Sequence, residues 1–165
     1  MGSVKLGRVI TGDVITSVAI CAAAAGLEGL CAGSGVKAYL ESLRAPKYSA
    51  PLAVWYAIGG LYYATFGFVL YRLLVHATDA LSRGTLVLVV AMMLANALWN
   101  LILFRARNLF VAFVTGSAAP LLDLALFLCL LRLDSQAALA LVPYLIYRVY
   151  AVWWGYALWS ANRTL

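Results

Sequence analysis

The chain has 165 residues, of which 65% are hydrophobic and only 11% charged. That balance excludes an ordinary soluble domain and makes lipid the expected solvent. The formal net charge of +6 comes from basic residues scattered over the ends of apolar runs, a pattern that suits anionic lipid headgroups and gives no reason to expect nucleic acid.

Five apolar runs, over residues 9–33, 51–75, 85–104, 109–133 and 137–160, are each long enough to cross the hydrocarbon, which takes about 20 residues of helix. The chain is therefore expected to be an all-α, multi-pass integral membrane protein. It reads as a bundle of five transmembrane helices forming one domain over 1–165. Short links force sequential helices to run antiparallel. The first run exceeds the apolar core of a cleavable signal peptide, carries Asp13 and Glu28, and leads into further spans. Asp13, Ser17, Cys21, Ala24 and Glu28 share one of its faces, with Asp13 and Glu28 near enough to the ends to reach water. Residues 34–50 form the one long connection, and Pro46 and Pro51 favour an extended or turning path over one mouth of the bundle.

On the second run, Trp55, Gly59, Tyr63, Phe66 and Leu70 read as one stripe, beside a small-residue stripe of Gly60, Ala64 and Gly67. Small stripes allow close helix approach in lipid. The break at 76–84 holds His76, the single histidine, which reads as a solvated loop residue. On the third run, Asn96, Trp99, Asn100 and Leu103 share a face that must point inward, because amides in hydrocarbon need partners. A ligand contact and a helix clamp are both open for them.

The fourth run carries Asp123, and the fifth carries Arg148 within a stripe of Tyr144, Ala151, Gly155, Trp159 and Asn162, flanked by Tyr147 and Trp154. Both charges lie roughly 15 Å deep from the amino-terminal face, where a guanidinium must face protein or water. They are placed to pair between neighbouring helices; the alternative is that Arg148 receives an anionic ligand group. Cys21, Cys31 and Cys129 lack metal-ligand spacing and read as buried free thiols. The basic residues at the two faces differ little in number and lean towards a cytoplasmic carboxyl terminus.

The motifs resemble those of the translocator protein/tryptophan-rich sensory protein (TspO/MBR) family. The resemblance runs from about Tyr39 to Asn162. It is carried by Leu43-x-x-Pro46 with Pro51, Tyr63, Asn96-x-Leu98-Trp99 with Phe104, Leu133-Asp134, Val142-Pro143-Tyr144-Leu145, and Tyr156-x-x-Trp159-x-x-Asn162. It implies a five-helix bundle, often a homodimer, with a pocket under the first loop. It also implies binding of tetrapyrroles such as protoporphyrin IX, of sterols in eukaryotic members, and of drug-like aromatic ligands. Two family tryptophans fall here at Gly59 and Tyr147, the pair invoked in light-dependent porphyrin breakdown by some bacterial members. Tyr39 stands one residue before the usual loop tyrosine, and the loop tryptophans after Pro46 appear as Lys47 and Tyr48.

The function expected from these residues is a membrane receptor or carrier for tetrapyrroles or similar flat, apolar, acidic molecules, or for a sterol-like small molecule. No cofactor is implied. The expected ligand-binding residues are Trp55, Tyr63, Asn96, Trp99, Asn100, Tyr144, Tyr147 and Arg148. A porphyrin-degrading enzyme and a membrane scaffold for another protein are the alternatives. Neither a metal cluster, a nucleotide loop nor a nucleophile–base constellation supports the enzyme; a secondary transporter is a further alternative, although the sequence shows no internal inverted repeat or paired broken helices. A permissive sterol-type pattern, Leu141, Tyr144 and Arg148, sets its arginine too deep to be an interfacial hook.

Overall fold

The computed structural model describes residues 2–75 and 79–163, with side chains from residue 11 onward; His76 lies outside the described residues. Helix α1 spans Gly2–Ala32, α2 Val36–Ser42, α3 Leu52–Val75, α4 Ala80–Asn100, α5 Leu109–Leu133 and α6 Ser135–Ala161. All but the short α2 are long and apolar enough to cross a membrane. The chain is an all-α bundle of five transmembrane helices.

Polar side chains set the helix ends. Asp79 caps α4 by accepting from the Ser82 N–H, so this helix begins five residues before the apolar run that announced it. Asn108 accepts from the Val111 N–H and fixes the start of α5. Asp134 is the whole link between α5 and α6: it ends the first helix and caps the second, accepting from the N–H groups of Gln136 and Ala137. Its other carboxylate oxygen pairs with Arg72 Nε near the end of α3, tying the turn to a third helix. Capping by such groups satisfies amides that the helix itself leaves open.

The bundle closes as a ring. Helix α1 lies against α3 and α4, α3 also packs on α4 and α6, and α5 bridges α4 and α6, with the α5–α6 hairpin the most extensive pairing. Phe66, Val69, Leu70, Val89, Met93, Leu126, Leu130 and Leu141 form the core at the amino-terminal end of the ring. The face of α1 carrying Ser17, Cys21 and Ala24 is buried against it. A Cβ at Gly67 would stand 3.4 Å from Cys21 Sγ, so the small-residue stripe of α3 serves the contact with α1 at that position, while Gly60 and Ala64 remain exposed.

Two local features differ from the sequence expectation. The first loop is not wholly extended: Val36–Ser42 makes two helical turns after Gly33, whose φ of 73° ends α1 in the left-handed region that glycine tolerates. Past α4 the chain slips into a π turn over Leu101–Arg105, where the Ala106 N–H reaches the Leu101 carbonyl. That wider turn carries Phe104 and leads to Arg107, held at φ 52° with its guanidinium 5.2 Å from the centre of the Tyr39 ring.

Candidate functional site

A cavity of about 500 Å³ lies inside the ring at its carboxyl-terminal half, beneath the loop that carries α2. Exposed residues of α1 (Ala25, Gly29) and of α3 (Tyr56) are among its lining, so it opens sideways between those helices. Trp55, Asn96, Trp99, Asn100, Tyr144, Tyr147 and Arg148 line it.

Tyr63 does not line it; Tyr62 does. The reason is helical geometry. Seven residues bring Tyr62 back to within about 20° of Trp55, whereas the eighth position is about 80° away. Tyr62 is accordingly buried at the cavity wall in contact with the rings of Phe66 and Tyr144. Tyr63 turns towards α1, its carbonyl 3.8 Å from Cys21 Sγ and its hydroxyl close to Glu28 without hydrogen-bond geometry.

Trp99 is fixed as an anchored wall. Its indole Nε1 donates to the Ala112 carbonyl of α5 at 2.9 Å. A Cβ at Gly116 would stand 3.1 Å from that nitrogen, so the glycine leaves the space the indole occupies. Asn96 and Asn100 are less alike than their spacing suggests. Asn100 Nδ2 donates back to the Asn96 carbonyl within the helix, while Asn96 Nδ2 crosses to Glu28 Oε1 on α1 at 2.6 Å. Glu28, four residues before the end of α1, is thus also a wall residue of the cavity.

On the opposite side, Arg148 Nε donates to Asp123 Oδ2 at 2.7 Å, with side-chain exposures of 14% and 2%. The pairing expected between the fourth and fifth spans is present, yet the guanidinium still borders the cavity. Leu141 is fully enclosed and Tyr144 nearly so, which places the sterol-type pattern inside the protein instead of on a lipid-facing surface.

Trp154, on the flank of the α6 stripe, is a further wall residue. It lies seven residues beyond Tyr147, hence on the same face, and its ring centre is 4.7 Å from that of Trp55. These aromatics also hold the first loop down. Trp154 Nε1 donates to Ser49 Oγ at 2.9 Å, Trp55 Nε1 donates to the Ala50 carbonyl, and the Tyr150 hydroxyl donates to the Tyr48 carbonyl while accepting from the Ala50 N–H. Asn162, beyond the end of α6, grips Arg44 by both backbone groups: its Oδ1 accepts from the N–H at 2.9 Å and its Nδ2 donates to the carbonyl at 3.1 Å. The loop is therefore a fastened cover.

A second cavity of about 470 Å³ lies between α4 and α5, with Tyr62, Asn96, Trp99, Tyr144 and Arg148 in the shared wall and exposed Leu98 and Leu121 on its outer side.

The family model for TspO/MBR proteins matches residues 17–160, nearly the whole chain. The chain belongs to the TspO/MBR family. Among curated proteins, none matches the chain in sequence. Within this TspO/MBR bundle, Gly59 faces the cavity with nothing within 4 Å of where its Cβ would stand, and Tyr147 fills the other position at which the resemblance puts an indole. Membership supports a membrane-bound ligand-binding or transport role in general.

Proposed function

We propose that this TspO/MBR protein is a membrane receptor or carrier that holds a flat, largely apolar ligand of the tetrapyrrole or sterol class in the cavity beneath its first loop. The observation that carries the reading is the cavity itself: about 500 Å³, with Trp55, Tyr62, Trp99 and Trp154 as aromatic walls and a few polar groups. Mostly apolar cavities of this size with sparse polar groups are the usual form of small-molecule sites. The family resemblance supplies the ligand class, and the side opening between α1 and α3 suits a ligand that arrives through the bilayer. Trp55 and Trp99 offer ring faces for stacking, and Asn96 meets a polar edge. Arg148 is neutralised by Asp123, so an acidic group on the ligand is not a requirement of this reading.

The test is a titration of detergent-solubilised protein with protoporphyrin, haem and sterols, followed by tryptophan fluorescence. Three of the chain's five tryptophans line the cavity, so an enclosed porphyrin should quench most of the emission saturably at one equivalent. Quenching that rises linearly without saturation for every ligand would reject the reading.

A further inference from the structure

The cavity has two charged wall residues, Glu28 and Arg148, and only one of them is neutralised within the protein. Arg148 on α6 is paired with Asp123, which stands behind it on α5 and is absent from the lining of this cavity. Glu28 on α1 makes no ion pair among the described residues. Its neighbours are the Asn96 amide, which donates to Oε1 at 2.6 Å, and the Tyr63 hydroxyl, both neutral. The wall thus carries one partly buried carboxylate without a cation, and a charge held away from bulk water normally finds a partner.

The rest of the wall completes the pattern. Trp55, Tyr56, Tyr62 and Trp99 line the same space as Glu28. Aromatic faces attract cations through the negative centre of the ring, and a carboxylate adds a charge-assisted hydrogen bond to a protonated nitrogen. A planar apolar cation satisfies both the rings and Glu28, whereas a planar acid faces the Glu28 carboxylate and finds Arg148 already paired with Asp123. The basic side chains of Lys37, Arg105 and Arg107 are not part of the lining.

We infer that the cavity selects flat aromatic ligands bearing a protonated nitrogen, such as an aromatic amine or amidine, over acidic ligands of the same shape, with Glu28 as the residue that reads the charge. The inference rests on the receptor reading of this cavity and ranks its ligands by charge: a flat cation binds more tightly than an acid of like shape, so the propionates of a porphyrin weaken its binding without excluding it.

Three tricyclic probes of nearly equal shape test it at neutral pH: 9-aminoacridine as the cation, anthracene-9-carboxylate as the anion, and 9-anthracenemethanol as the neutral reference. The solubilised protein should bind the cation about ten-fold more tightly than the anion, a difference of about 1.4 kcal/mol. Glu28→Gln, which keeps an acceptor for Asn96, should erase that advantage, and Glu28→Asp should retain part of it. Equal affinities for cation and anion in the unmodified protein would overturn the inference, as would a cation advantage that survives Glu28→Gln. Saturable binding of the neutral probe without charge preference would leave the receptor reading standing while rejecting the role of Glu28. No saturable binding by any of the three probes would overturn the inference, while the receptor reading is decided separately by the porphyrin, haem and sterol titration.

Discussion

Arg148 Nε and Asp123 Oδ2 are 2.7 Å apart, deep between α6 and α5, and each has the other as its charge partner. Removing one leaves a charge in a dry region, which costs about 3–5 kcal/mol, whereas removing both replaces two desolvated ions with apolar packing. Asp123→Asn and Arg148→Met should each lower the Tm in detergent, and the double variant should recover part of the loss. Strictly additive losses in the double-mutant cycle would show that the two charges are not coupled.

Trp99 has two duties, and substitution can separate them. Trp99→Phe keeps an apolar ring but gives up the hydrogen bond to Ala112, worth about 1 kcal/mol. It should fold almost normally and weaken porphyrin binding several-fold. Gly116→Val should have a like effect by a different route, because even a Cβ would stand 3.1 Å from the Trp99 nitrogen and push the indole aside. Asn96→Leu should also weaken binding. Unchanged porphyrin affinity in all three would move the site away from this wall.

The sequence made the five spans legible because apolar run length is a direct consequence of membrane thickness. It fixed 109–133 well, since Asn108 and Asp134 punctuate both ends of α5. The start of α4 was hidden because its first turn is polar and capped by Asp79, so the helix begins before its apolar part. Depth was the harder quantity. Glu28 belongs to a stripe of α1 whose spacing is plain, but that its last member meets Asn96 across the bundle depends on how α1 and α4 pack. Tyr62 rather than Tyr63 lines the cavity because seven residues from Trp55 return to nearly the same face of α3 and eight do not. The π turn at Leu101–Arg105 depends on a slip in backbone hydrogen bonding that no side-chain pattern in the run announces.

Porphyrin photochemistry offers a check on the two replaced indoles. The resemblance places tryptophans where this chain has Gly59 and Tyr147, and both positions border the cavity. Bound protoporphyrin should therefore survive illumination better here than in a degrading family member. Gly59→Trp with Tyr147→Trp should raise the breakdown rate, and the space beside Gly59 gives the new side chain a place to start. Rapid photobleaching by the unmodified protein, followed by absorbance under constant light, would count against this expectation.

Asp134 gives the bundle a defined acid response. Burial opposes its charge, but the Arg72 guanidinium and the N–H groups of Ala137 and Gln136 outweigh that opposition, holding its carboxyl below the ordinary value of 3.8. A carboxylate with a depressed folded pKa lends stability that is fully present above the unfolded pKa and lost as pH falls through the folded one. The α3 tie and the α5–α6 turn should accordingly weaken only below about pH 3.8. Asp134→Asn should lower the Tm at neutral pH and flatten its decline in acid. A variant whose acid profile parallels that of the unmodified protein would assign the response to other carboxylates.

Asn162 sets how firmly the cover stays closed. It holds Arg44 by two hydrogen bonds to the backbone, a link 118 residues apart in sequence, while Arg44 and Lys47 present their side chains to solvent. Asn162→Ala removes both bonds, each worth on the order of 1 kcal/mol, but leaves the ties from Trp55, Tyr150 and Trp154 to residues 48–50 in place. The loop should loosen without detaching. Limited trypsin digestion should then cut more readily after Arg44 and Lys47, and stopped-flow quenching should show porphyrin dissociation several-fold faster with a smaller change in association. A raised cleavage rate with unaltered dissociation would mean that the loop covers the cavity without gating it, and would shift attention to the opening between α1 and α3.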